Sequence, residues 1–146
     1  MKRDKIDLSF YIEKEVTKVA DKSVPNKKTV LVADDEPSML YSVRRILGDK
    51  YSIIEAGNGK EAVRLAQSHR PDIIFMDTMM PEKDGLTALS EIRASEDTKT
   101  IPVIMLTGLD YELNKKLAQT LGASGYITKP FKAHDILDAI SNLRIG

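Results

Sequence analysis

Five short apolar runs, separated by stretches with helical periodicity, leave this chain few folds to choose from. The runs are Thr29–Ala33, Tyr51–Ala56, Asp72–Met76, Ile101–Leu106 and Gly125–Ile127. The spacing predicts helices over Ser38–Leu47, Lys60–Gln67, Leu86–Ala94, Tyr111–Leu121 and Ala133–Leu143. In the first helix Leu40, Val43, Ile46 and Leu47 recur at helical spacing. Pro37 suits its first position and Gly48 its C-cap. In the last, Ile136, Leu137 and Ile140 are assigned to one face. Five strand–helix pairs imply an α/β fold, a parallel sheet with helices on both faces and right-handed crossovers.

Composition narrows the chemistry. The 146 residues are 42% hydrophobic, enough for one domain with a real core. There is no Trp and no Cys, so a disulfide scaffold, a thiolate zinc site and a cysteine nucleophile are excluded. The N-terminus lacks the apolar stretch of a secretory signal, and no segment approaches membrane-spanning length. Lys and Arg total 22 and Asp and Glu 22. Neither residues 1–28 nor the remainder is basic enough to argue for nucleic-acid binding by charge.

The polar residues that stop these runs carry the functional signal. Asp34 and Asp35 follow the first, Asp77 the third, Thr107 the fourth, and Thr128-Lys129-Pro130 the fifth. In a parallel α/β sheet the ligand crevice lies beyond the carboxyl ends of the strands, so these residues would converge. An acid at a strand's end is often only a helix N-cap. However, Asp34-Asp35-Glu36 places three acids in a row, and a cation would relieve their repulsion. Oxygen ligands without His or Cys point to Mg²⁺, with Mn²⁺ as a substitute. Asp77 could act as a nucleophile toward phosphorus. Lys129 precedes a proline in a tight turn, where a cis bond would aim it inward. His69 and His134 are read as surface residues, because no partner constellation accompanies them. Gly57-Asn58-Gly59 lacks a P-loop's lysine and hydroxyl and is read as a turn.

Four motifs resemble the receiver domain of bacterial response regulators. They are Val32-Ala33-Asp34-Asp35-Glu36, Met76-Asp77-Thr78-Met79-Met80-Pro81-Glu82-Lys83-Asp84-Gly85, Leu106-Thr107-Gly108 and Tyr126-Ile127-Thr128-Lys129-Pro130-Phe131, and the resemblance covers about residues 28–144. It implies a flavodoxin-like doubly wound (βα)5 fold with strand order 2-1-3-4-5. It implies Asp77 as phosphoryl acceptor and Asp34, Asp35, Asp77 and the Met79 backbone carbonyl as ligands for Mg²⁺. Thr107 would be the switch hydroxyl, Lys129 the salt-bridge partner of the phosphoryl group, Tyr126 the switch aromatic and Pro130 a cis proline. The donor would be a histidine kinase or phosphotransfer protein. The output surface would be the last strand and its flanking helices, the partner an unknown output protein, and the location cytoplasmic. The resemblance implies neither direct nucleic-acid nor membrane binding. It also implies no enzymatic turnover beyond self-phosphorylation and self-dephosphorylation.

Two features are particular to this chain. Met79 and Leu109 stand two residues past Asp77 and Thr107, and neither can hydrogen-bond an attacking water well. The expectation is slow self-dephosphorylation. Gly108 leaves the pocket mouth open to a small donor such as acetyl phosphate. The second feature is residues 1–27, an expected N-terminal extension before the domain of 28–146. Leu8, Tyr11, Ile12, Val16 and Val19 fall on one side of a helical wheel, with Glu15 intruding, and Ser23–Lys28 reads as a linker. This helix would dock on the domain or pair with a second copy, alongside the last strand as a possible homodimer surface. The alternative is a plain leader.

The chain stops shortly after the last helix, at Leu143-Arg144-Ile145-Gly146. The expectation is a module without its own output domain, acting through partners or as part of a longer protein. Two rivals are a metal-dependent phosphatase using Asp77 and an interaction module that never takes phosphate. Against the first, Thr78 and Met79 stand where an acid would protonate a leaving group.

Overall fold

The computed structural model describes residues 27–108 and 112–143, with side chains in the fourth helix from Lys115 onward. The expected N-terminal helix, Leu109 and the start of the fourth helix at Tyr111 lie outside the described residues. In order, the elements are β1 (Lys28–Ala33), α1 (Pro37–Leu47), β2 (Tyr51–Ala56), α2 (Gly59–His69), β3 (Ile73–Asp77), α3 (Gly85–Ala94), β4 (Val103–Thr107), α4 (Glu112–Thr120), β5 (Gly125–Thr128) and α5 (Ala133–Leu143). A single 3₁₀ turn at Gly48–Lys50, not anticipated from the sequence, joins α1 to β2.

The strands pair in parallel in the order β2-β1-β3-β4-β5, the doubly wound arrangement expected. Alternate residues face opposite sides. Leu31, Ala33, Ile74, Met76, Val103 and Met105 pack with Ala62, Leu65 and Ala66 of α2, Leu89 and Ile92 of α3, and Ala118 of α4. Val30, Val32, Ile73, Phe75, Ile104 and Leu106 pack with Val43 and Leu47 of α1 and Ile136 and Ile140 of α5. Two cores thus sandwich the sheet, and each fully buried aliphatic side chain contributes roughly 1.5–3 kcal/mol. Leu137 departs from the expected face and is 41% exposed. A helical step of about 100° carries it off the stripe shared by Ile136 and Ile140.

The helix ends follow local chemistry. Asn58 caps α2 by accepting from the Glu61 N–H at 2.8 Å, and the Glu61 carboxylate accepts from the Gly57 N–H at 2.9 Å. Asp84 caps α3 through the Thr87 N–H at 2.8 Å. Gly48 ends α1 at φ 60°, donating to the Arg44 carbonyl.

The chain leaves β1 toward β2 on one side and later returns to β3 on the other. The crevice at this reversal lies beyond the carboxyl ends of β1 and β3. Asp34, the first residue after β1, and Asp77, the last of β3, are both set there.

Candidate functional site

Each site residue is placed by the strand before it. The apolar runs of β1 and β3 bury the backbone leading to Asp34 and Asp77, which are themselves 0% and 5% exposed. Asp35, one residue further on, is exposed. Asp34, Asp35 and Asp77 each offer a carboxylate oxygen within 4.8 Å of the others. Such a donor set, all oxygen and one side open to solvent, fits Mg²⁺, which takes one or two carboxylates and keeps several waters.

Lys129 joins this cluster from the far side of the sheet. Its Nζ donates to Asp34 Oδ2 at 2.8 Å and lies 3.3 Å from Asp77 Oδ1. The Lys129–Pro130 peptide bond is cis. The Lys129 backbone N–H donates to the Thr107 carbonyl at 2.6 Å, tying the end of β5 to the end of β4. Both Asp34 oxygens are tethered: Oδ1 accepts from the Glu36 N–H at 3.0 Å while Oδ2 holds the lysine.

These contacts set the electrostatics. Burial, then the neighbouring Asp34 charge, pushes the Asp77 carboxyl from its ordinary 3.8 up to about 6, against the pull of Lys129 and a hydrogen bond from the Met79 backbone. For Lys129, burial disfavours the charge. The bond to Asp34 and the fields of Asp77 and Asp34 outweigh it, so its pKa is raised. The site therefore holds a strained carboxylate beside a firmly protonated ammonium.

Thr107, buried at the end of β4, pairs in register with Thr128. Tyr126 stands opposite Met105 on β5, partly buried beside α4, with Lys115 Nζ 5.6 Å from its ring centroid. Met79 is 76% exposed, whereas its neighbour Met80 is buried in the core. The histidines stand apart from the acidic cluster: His69 bonds Ser68 Oγ and His134 faces Asp135.

Sequence reasoning gave no role to Gly85. A Cβ there would lie 2.8 Å from the Asp77 carbonyl carbon and closer still to its oxygen. Only glycine lets α3 start this near the end of β3. The Asp84-Gly85 pair opening a helix was the available signal.

All of the sheet but the first two residues of β1, and every one of these positions, fall within residues 30–141, which match the family model described as response regulator receiver domain. The chain belongs to this family. Receiver domains are signalling modules of two-component phosphorelays, and this chain is one of them. It is 42% identical to the chemotaxis protein CheY of Halobacterium salinarum over 117 residues, covering 80% of this chain and 96% of that protein. It is 38% identical to the transcriptional regulatory protein PdtaR of Mycobacterium tuberculosis over 123 residues, covering 83% of this chain but only 58% of that one. The receiver domain therefore spans nearly all of one relative and little more than half of another. Among solved structures, it resembles the receiver domain of the sensor histidine kinase PA1611 from Pseudomonas aeruginosa, whose active-site cleft coordinates a magnesium ion. There the TM-score is 0.74 at 29% identity, covering 80% of this chain and 96% of that one. No helix among the described residues is long and apolar enough to cross a membrane.

Proposed function

We propose that this receiver domain takes a phosphoryl group onto Asp77 from a histidine kinase or phosphotransfer protein, with Mg²⁺ bound, and thereby switches a partner-binding surface. One observation carries the reading: Asp77 is buried against Asp34 yet lies 3.3 Å from Lys129 Nζ. With its pKa at about 6, the carboxylate is about nine-tenths ionised at pH 7 and available as a nucleophile. Its oxygen attacks phosphorus on the donor imidazole. The P–N bond breaks, the imidazole nitrogen takes the electron pair and a proton, and an acyl phosphate remains on Asp77. A bound Mg²⁺ would supply charge for the phosphoryl oxygens.

Asp34, Asp35, Asp77 and the Met79 carbonyl would hold the ion. Lys129 would then move its contact from Asp77 toward a phosphoryl oxygen, and the Thr107 hydroxyl would turn to another. Their contacts to the phosphoryl oxygens exist only in the phosphorylated form, which biases β4, β5 and the Tyr126 ring toward a second arrangement. Pro130, following Lys129, fixes the turn that aims the lysine. Water attack on phosphorus later returns the carboxylate and inorganic phosphate, so the only chemistry is self-phosphorylation and self-dephosphorylation.

Residues 28–146 form this module and 1–27 an extension that pairs or docks. The module works in the cytoplasm through an output protein, without direct nucleic-acid or membrane contact. A phosphatase reading is disfavoured because exposed Met79 cannot protonate a leaving group. The test is incubation with acetyl phosphate and Mg²⁺, intact-mass measurement and sizing, with Asp77→Asn as control. One phosphoryl adduct is expected, absent in the variant. Turnover of a generic phosphate ester, or an adduct retained by the variant, would overturn the reading.

A further inference from the structure

We propose that Gly59, at the first turn of α2, is a positioning residue for the metal pocket, because it lets α2 lie directly against the β3–α3 loop that carries Met79. The inference rests on the phosphoacceptor reading above and extends it to a residue outside the acidic cluster.

The loop from Thr78 to Asp84 is anchored at several points. The Gly85 N–H donates to the Thr78 carbonyl at 2.9 Å, closing the loop on itself. Met80 is buried in the core. Lys83 Nζ donates to Glu91 on α3 at 2.7 Å. Between these anchors the backbone is strained. Glu82 has φ 66°, and the Lys83 N–H donates to the Pro81 carbonyl at 2.7 Å across it, closing a three-residue turn. Such turns are rare and persist only where surrounding structure over-determines them.

Gly59 supplies a further restraint. The three atoms nearest a Cβ built there all belong to Lys83: its own Cβ at 3.0 Å, its carbonyl carbon at 2.7 Å, and its carbonyl oxygen closer still. Two of the three are backbone, so no side-chain rotation can make room. A methyl would push the loop outward by about 1 Å, and a misplacement of that size can cost up to about a hundredfold in a preorganised site. Lys83 belongs to the same short loop as Met79, whose backbone hydrogen-bonds Asp77, so displacing it alters the loop that carries the Met79 carbonyl. Groups supporting metal ligands from behind are typically worth about 10–100-fold in affinity. Gly57, in the same turn, differs: the nearest atom to its Cβ is Glu61 Oε1 at 4.0 Å.

Helix propensity makes the opposite forecast. Ala is favoured over Gly in a helix, so without this contact Gly59→Ala would raise stability slightly and leave metal binding unchanged. The experiment titrates MgCl₂ into the full chain by calorimetry for wild type, Gly59→Ala and Gly57→Ala, with thermal midpoints measured separately. The expected result is an Mg²⁺ Kd raised at least tenfold in Gly59→Ala, on protein that is folded at the titration temperature, and unchanged in Gly57→Ala. Equal Kd values for wild type and Gly59→Ala would overturn the inference while leaving the phosphoacceptor reading intact. Failure of wild type to bind Mg²⁺ would instead overturn that reading, and the inference with it. Should Gly59→Ala not fold, amide NMR of wild type decides. The Gly59 and Lys83 amides should shift on Mg²⁺ saturation, and silent resonances there would refute the coupling.

Discussion

Asp77 makes the metal-free protein less stable than it could be, and Asp77→Asn should show by how much. The carboxylate is almost fully buried beside Asp34, and its pKa stands at about 6 instead of the ordinary 3.8. Between those two values the folded protein holds a proton that the unfolded chain has released. Stability therefore falls as pH rises through this window and levels off above it. At about 1.4 kcal/mol per pH unit, ionised Asp77 costs the fold about 3 kcal/mol at neutral pH. That figure already includes the favourable pull of Lys129. Asn keeps the shape and an acceptor oxygen but carries no charge, and Lys129 retains Asp34 at 2.8 Å. The variant should thus be more stable by about 2–3 kcal/mol above pH 7, with the gap closing toward pH 4. Urea unfolding in EDTA at several pH values gives the difference directly, because groups common to both proteins cancel. A variant no more stable at pH 7.5, or a gap that does not change with pH, would refute the electrostatic account of the site.

The same charge should make Mg²⁺ a stabiliser. At one hundred times its Kd the ion should add about 2.7 kcal/mol to wild type and much less to Asp77→Asn, as thermal melts with and without MgCl₂ would show. Its affinity should weaken below pH 6 as the proton competes for Asp77. Met79→Asn should speed loss of the aspartyl phosphate by roughly fivefold, since one hydrogen bond to the attacking water is worth about 1 kcal/mol. Decay followed by intact mass would check it, and an unchanged rate would show that the exposed thioether does not govern access. Glu82→Gly should stabilise the protein by about 0.5–1 kcal/mol by relieving the positive φ at that position. A lower thermal midpoint would mean that the Glu82 side chain contributes more than its backbone costs.

Which parts of this molecule could be read from the chain follows from how local their causes are. The strands were legible because a run such as Ile73-Ile74-Phe75-Met76 is buried on both faces, and such runs are nearly continuous in apolar residues. The convergence of Asp34, Asp77 and Lys129 was legible for the same reason, since parallel strands deliver their ends to one edge. What the chain concealed was settled by contacts between distant backbones. Leu137 escapes the core because the α5 stripe is narrower than its apolar content suggests. Gly59 and Gly85 look like ordinary turn glycines, yet each fills a gap that a single methyl would close, one against Lys83 and the other against Asp77. Both gaps border the same loop. The charged residues of the site supply its chemistry, but the close packing of the loop beside them depends on two residues that have no side chain. A fit of that kind comes from tertiary packing, and no periodicity in the sequence encodes it.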